Sequence, residues 1–197
     1  MRPDTRHAGP PSAADTRSCN LFFGVFPPPQ VRAAMAAQVE RLRETSPVRA
    51  RWSDPLRYHV TVQFLGRFPI AATLAPDTEP LSAIRAAARA VTVPAFDLHL
   101  DTTGSFARSR VGWLGCTHPP ASLLSLWHCL GEALDALGVS RDSATHYVPH
   151  VTVLRDARQY WPAQAIAPIP WRVDALVLAR SREGPGPYEA LESWPLE

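Results

Sequence analysis

The tetrapeptide His59-Val60-Thr61-Val62 occurs a second time as His150-Val151-Thr152-Val153. In an extended strand, residues two apart project from the same face, so each copy presents one imidazole and one hydroxyl together while its valines take the other side. A lone His-x-Thr in a strand is ordinarily incidental, with the histidine at an edge or hydrogen-bonded inside. Duplication changes that reading: if two similar lobes are related by a two-fold axis, two imidazoles and two hydroxyls converge on one cleft. Such a pair suits acid–base cleavage of a phosphodiester, one neutral imidazole taking a proton from water while the other, charged, protonates the leaving oxygen. Hydroxyl donors and an arginine can stabilise the charge on the non-bridging oxygens. This chemistry requires neither a metal nor a covalent intermediate.

The elements that must position these residues follow from periodicity. Residues 1–19 have no apolar period and read as a disordered tail, leaving 20–197 as a single domain. Asn20–Phe26 is apolar on both faces, as in a central strand, and Pro27–Pro29 break it. A helix is expected over about Pro29–Glu44, with Val31, Met35, Val39 and Leu42 on one stripe. A strand over Tyr58–Leu65 is expected to end at Gly66, and a second helix to run near Glu79–Val91. Ala95–Asp101, a turn at Thr103-Gly104 and Arg110–Cys116 read as a hairpin. The third helix spans about Ala121–Leu137, with Gly138 suited to the position after its cap. Tyr147–Leu154 and Trp171–Ala179 each read as one strand, and a Gly184-Pro-Gly-Pro187 turn leads into Tyr188–Leu191. Helices interleaved with hairpins indicate an α+β fold with antiparallel or mixed strands.

Composition excludes several alternatives. All 20 basic residues are arginine, and with 21 prolines and abundant alanine this looks like compositional bias, so arginine enrichment alone is not evidence for a nucleic-acid site. A formal charge of +2 is too small to wrap a long polyanion, although a local phosphate site fits. Without lysine there is no Schiff base and no Walker-type phosphate lysine. Cys19, Cys116 and Cys129 are odd in number and widely spaced, which fits reduced thiols and a cytoplasmic setting. The histidines and cysteines lack metal-ligand spacing, and no serine sits in a Gly-x-Ser-x-Gly elbow. No metal, cofactor or membrane is expected, and the chain is expected to act as a monomer. His99, His118 and His128 read as surface or helix residues. Phe106, Trp52 and Tyr188 are candidates to stack on a terminal base, Phe106 because it follows the expected turn.

On these motifs the chain resembles the 2H phosphoesterase superfamily, and within it the bacterial RNA 2′,3′-cyclic phosphodiesterase (2′-5′ RNA ligase) family. The likeness runs through Leu21–Pro28, Arg51-Trp52, His59–Gly66, Gly104–Phe106, Trp113–Gly115, Pro149–Arg155 and Ser181–Tyr188. It implies a bilobal, pseudo-two-fold fold, two antiparallel sheets flanking a central cleft with helices on the outer faces. It implies hydrolysis of RNA 2′,3′-cyclic phosphate ends to a 2′-phosphomonoester, and joining of tRNA halves through a 2′-5′ bond. By the same resemblance His59 is the general acid, His150 the general base, and Thr61, Thr152 and Arg155 hold the phosphate. Arg155 lies an odd number of residues after His150, so a regular strand would point it away; its role requires a bulge or twist near Leu154-Arg155. A small cyclic nucleotide or an ADP-ribose cyclic phosphate is an alternative substrate, and a non-catalytic RNA- or nucleotide-binding module an alternative class.

Overall fold

A computed structural model describes residues 17–45, 48–73, 79–142, 146–181 and 186–197. The strands are β1 (Ser18–Val25), β2 (Arg51–Trp52), β3 (Val60–Pro69), β4 (Phe96–Phe106), β5 (Val111–Gly115), β6 (His150–Arg155), β7 (Ala165–Val173), β8 (Ala175–Arg180) and β9 (Glu189–Pro195). The helices are α1 (Pro29–Thr45), α2 (Leu81–Ala90) and α3 (Ala121–Ala136). Short 3-10 turns at Pro55–Arg57 and Ile70–Thr73 precede and follow β3. Among the described residues no helix is long and apolar enough to cross a membrane.

The strands form two antiparallel halves, β7-β4-β5-β6 and β3-β1-β8-β9, with β2 pairing β6 from the side. These halves are the two expected antiparallel sheets, and among the described residues they join through the single residue pair Val60–Val151. Each strand carries an extra residue just after this pair, at Val62 in β3 and at Val153 in β6. Such bulges bend a strand and increase its twist, so β3 and β6 part after one shared pair and each turns to its own partners.

The apolar stripes bury as their spacing requires. Met35, Val39 and Leu42 of α1, Leu81, Ile84 and Ala88 of α2, and Leu123, Leu126, Leu130 and Leu134 of α3 all join one core with the inward residues of the strands. Leu137, the last residue of the expected third helix, caps α3 and is 48% exposed. Gly138 follows at φ +68, and the amides of Gly138 and Val139 donate to Asp135 O and Leu134 O. This closes the helix through a left-handed residue that a glycine adopts without strain.

Several boundaries differ from the expectations. Strand β1 begins at Ser18, and Ser18 and Cys19 pair with Pro69 and Phe68, so the expected tail loses its last two residues; residues 1–16 lie outside the described residues. Strand β3 passes through Gly66, at φ +101, and continues to Pro69. Thr103-Gly104 is strand rather than turn: β4 runs on to Phe106 and the chain reverses at residues 107–110. Gly104 is small for packing, because a Cβ there would overlap the indole of Trp113 on the neighbouring strand. The apolar run Trp171–Ala179 is two strands. Asp174 interrupts it, β7 pairs β4 in one half, and β8 pairs β1 in the other. Aspartate is depleted in strands, and here Asp174 O accepts from Leu196 N, pinning the crossover to the C-terminal end. The last expected strand is longer, Glu189–Pro195; of the expected turn before it, residues 184 and 185 lie outside the described residues.

Candidate active site

The one pair that joins the halves is also the pair that organises the site. Val60 and Val151 are the second residues of the two tetrapeptides, and they face each other across antiparallel strands. Equivalent residues paired antiparallel lie about a local two-fold axis, so the repeat in the sequence is a symmetry of the site. Continuing the register by one residue sets His59 opposite Thr152 and Thr61 opposite His150. Both valines are fully buried, and all four histidine and threonine side chains are partly open on the other face.

The symmetry extends to what holds each ring. His59 Nδ1 lies 2.7 Å from Arg57 O, and His150 Nδ1 lies 2.8 Å from Val148 O, the carbonyl two residues back in each case. A carbonyl only accepts, so each Nδ1 carries the proton and each neutral ring turns its Nε2 lone pair outward. In the free protein the Thr61 hydroxyl donates to His59 Nε2 at 3.0 Å. Tyr147, stacked on Trp127 at 5.3 Å, donates its hydroxyl to Thr61 O at 2.9 Å and fixes the backbone there.

The surroundings of the two rings are not symmetric. Phe26 stacks on His59 at 5.4 Å, with Phe22 at 4.9 Å and Tyr188 edge-on at 4.8 Å, and the Arg57 guanidinium lies 4.4 Å over the Tyr188 ring. Burial in this aromatic box pulls the His59 pKa down to about 4; the Arg57 carbonyl opposes the shift, and the charges of His150, Arg155 and Arg57 add to it. His150 has Phe106 edge-on at 4.9 Å and Trp113 at 6.4 Å. Its pKa is also lowered, chiefly by burial and further by Arg155, against the opposing Val148 carbonyl. His150 also lines a cavity of about 230 Å³ with Thr61, Phe64, Phe106, Trp127 and Tyr147.

The Arg155 conflict is resolved by the bulge. Thr152 pairs Trp113 while Leu154 pairs Gly112, so Val153 is the extra residue, and Val153 and Leu154 are buried in succession. The alternation flips there, which returns Arg155 to the face of His150 and Thr152. The same flip at Val62 buries Val62 and Gln63 in succession and brings Phe64 to the cleft face, 39% exposed. Phe64 is thus the two-fold counterpart of Arg155: one side of the site is apolar, the other cationic.

The remaining candidates fall elsewhere. His99 and His118 are exposed, and His128 faces Glu132 at 3.4 Å on the surface of α3. Burial pushes the Cys116 thiol up to about 11, the reverse of an activated nucleophile. Trp52 packs edge-on against Trp161 at 5.5 Å, with Arg43 5.0 Å over it, and is remote from the imidazoles in its contacts. Tyr188 packs on His59 itself, and Phe106 on His150, immediately before the turn rather than after it. Among the described residues no group of three or more His, Cys, Asp or Glu is placed to hold a metal ion. Residue spacing missed Phe22, Phe26, Phe64, Trp127 and Tyr147. The signal for Phe22 was present in the doubly apolar β1, one face of which had to serve something other than the main core.

Residues 27–185 match the family model described as the 2'-5' RNA ligase superfamily. The RNA 2',3'-cyclic phosphodiesterase of Escherichia coli (strain K12) is 31% identical over 141 residues, 71% of this chain and 73% of that one. The crystal structure of E. coli LigT complexed with 3'-AMP superposes with a TM-score of 0.73 at 28% identity, covering 91% of this chain and 99% of that one. A Thermus thermophilus protein, TT0787, shares the fold, with a TM-score of 0.67 at 24% identity over 90% of this chain and 97% of the other.

Proposed function

The chain belongs to the 2'-5' RNA ligase superfamily, and on that footing we propose that it hydrolyses 2′,3′-cyclic phosphates at RNA ends by paired histidine acid–base catalysis. The observation that carries the proposal is the Val60–Val151 pair, about which lie two equivalent imidazoles, each with a proton on Nδ1 and its Nε2 lone pair turned outward, that of His59 accepting from Thr61 until a phosphate takes over the hydroxyl's hydrogen bond. The cyclic phosphate binds between them, its non-bridging oxygens accepting from the Thr61 and Thr152 hydroxyls and the Arg155 guanidinium. Water attacks phosphorus and gives a proton to one Nε2. The P–O3′ bond breaks as the other Nε2–H protonates O3′, leaving a 2′-phosphomonoester and a 3′-hydroxyl. If an RNA 5′-hydroxyl takes the place of water, the same proton transfers form a 2′-5′ phosphodiester.

The asymmetry of the walls supports one division of the two roles. His150 lines an open cavity, so on this reading it is the base toward a water molecule entering there. His59, closed in by Phe22, Phe26 and Tyr188, delivers its proton to a leaving oxygen shielded from solvent. Positioned proton-transfer groups contribute about 10²–10⁴-fold each. Assayed on an oligoribonucleotide ending in a 2′,3′-cyclic phosphate, His59→Ala and His150→Ala are each expected to lose at least 99% of kcat. The native product should be a 2′-phosphate, identified by ³¹P NMR. More than a few per cent of activity in either variant, or a 3′-phosphate product, overturns the reading.

A further inference from the structure

We propose that a basic track leading away from His150 holds the RNA strand on the 5′ side of the reacting end, so that the preferred substrate is a polynucleotide rather than a free cyclic nucleotide. The inference rests on the phosphodiesterase reading for the nature of the end and on separate residues for the strand.

Three cavities follow one another across this face. The first is the one beside His150, and Phe106 forms one of its walls. Phe106 also lines the second, about 270 Å³, with Arg110, Arg158, Gln159 and Tyr160. Gln159 lines the third, about 380 Å³, with Arg43, Arg49 and Trp52. Gln159 is held in place at that junction, where its Oε1 accepts from Arg49 N at 2.9 Å. Among the described residues no acidic side chain lines the second or third cavity.

Composition gives the chain many arginines but does not collect them. The fold brings six of the 20, Arg43, Arg49, Arg51, Arg110, Arg155 and Arg158, to this region. Arg51 and Arg155 are direct partners across β2 and β6, and like charges facing each other in a strand pair are destabilising. Asp156 meets Arg51 at 3.3 Å and Arg110 at 4.0 Å, and Glu40 meets Arg43 at 2.7 Å, two carboxylates among six guanidinium groups. A phosphate backbone supplies the missing negative charge. Tyr160, 70% exposed at the rim of the second cavity, offers a ring face for a base. A basic groove interleaved with exposed aromatic rings is the arrangement that binds single-stranded nucleic acid without reading its sequence. A mononucleotide engages the first cavity and leaves the other two unused.

The test compares 2′,3′-cyclic AMP with an RNA tetramer ending in a 2′,3′-cyclic phosphate, using the native protein and the variants Arg110→Ala/Arg158→Ala and Tyr160→Ala. The native KM for the tetramer should be at least tenfold lower than for cyclic AMP, and both variants should lose most of that advantage while turning over cyclic AMP as before, which also reports that they are folded. Removing two phosphate contacts from a single strand lowers the slope of log KM against log salt by about 1.4, so between 50 and 200 mM salt the native KM for the tetramer should rise about sevenfold more than that of the double variant. Equal KM for tetramer and cyclic AMP in the native protein, or variants that keep the native preference, overturns the track and leaves the phosphodiesterase intact. If the native protein cleaves neither substrate, the phosphodiesterase reading fails. The track is then judged by fluorescence anisotropy of a labelled tetramer, whose binding must weaken in the double variant for the inference to survive.

Discussion

Occupancy of the site by a phosphodiester should load a proton onto His59. Burial holds this imidazole at about 4 in the free protein, so near pH 6 only about one molecule in a hundred carries the proton that the general acid must donate. A single negative charge about 4.5 Å from the ring, at an effective dielectric constant of about 20, favours the imidazolium by roughly 3.7 kcal/mol, or about 2.7 pH units. The pKa of His59 then rises to roughly 6.7 and the acid is mostly charged at pH 6, so substrate binding itself arms the site. The assay is isothermal titration of a deoxydinucleotide, whose diester keeps one charge throughout the range and offers no 2′-hydroxyl. Run at pH 6 in two buffers of different ionisation enthalpy, it should report proton uptake that includes about 0.8 proton per site from His59, the part missing in His59→Asn. The His59 imidazole resonances should show the same shift by NMR. Binding at saturation with no proton uptake, or a ring that still titrates near 4 in the complex, refutes the reasoning and removes His59 as the acid.

Three further outcomes follow from the same geometry. Because the folded pKa of His59 lies below the usual 6.5, the unfolded chain takes up the proton first as pH falls. The stability associated with the neutral ring is therefore present above about pH 6.5 and is lost by up to about 3 kcal/mol as pH drops toward 4. Chemical denaturation at pH 7 and 4.5 should record most of this loss in the native protein and clearly less in His59→Asn; equal losses would contradict it. Arg155→Ala should lower kcat by about 10²–10³-fold, with partial recovery in Arg155→Lys, as for loss of a charge-stabilising donor; a change under threefold would leave Arg155 a surface charge. Gly104→Ala drives a methyl into the Trp113 indole that packs near His150, and should cost about 1–3 kcal/mol in thermal or denaturant unfolding together with a loss of kcat. An unchanged Tm and kcat would show that the indole moves aside freely.

The sequence alone determined the pairing of the chemistry. A repeated His-Val-Thr-Val with period-two alternation fixes which side chains share a face, because strand geometry is local, and the two-fold relation seen at Val60–Val151 is the spatial form of that repeat. The three helices, the stripe of α1 and the cap at Gly138 were legible because they too are local, spacing along one helix dictating its buried face. Tertiary structure decided everything that depends on a partner strand or on residues far away in the chain. The bulges at Val62 and Val153 are defined only against β1 and β5, yet they turn Phe64 and Arg155 into the cleft. Gly104 reads as a turn until Trp113 is seen lying against it, and the break at Asp174 shows only when β7 and β8 find partners in different halves. The depressed pKa of His59 comes from Phe22, Phe26 and Tyr188, which surround it from distant parts of the chain. Burial and charge act through space over a few ångströms, and proximity of that kind is set by the fold rather than by order along the chain.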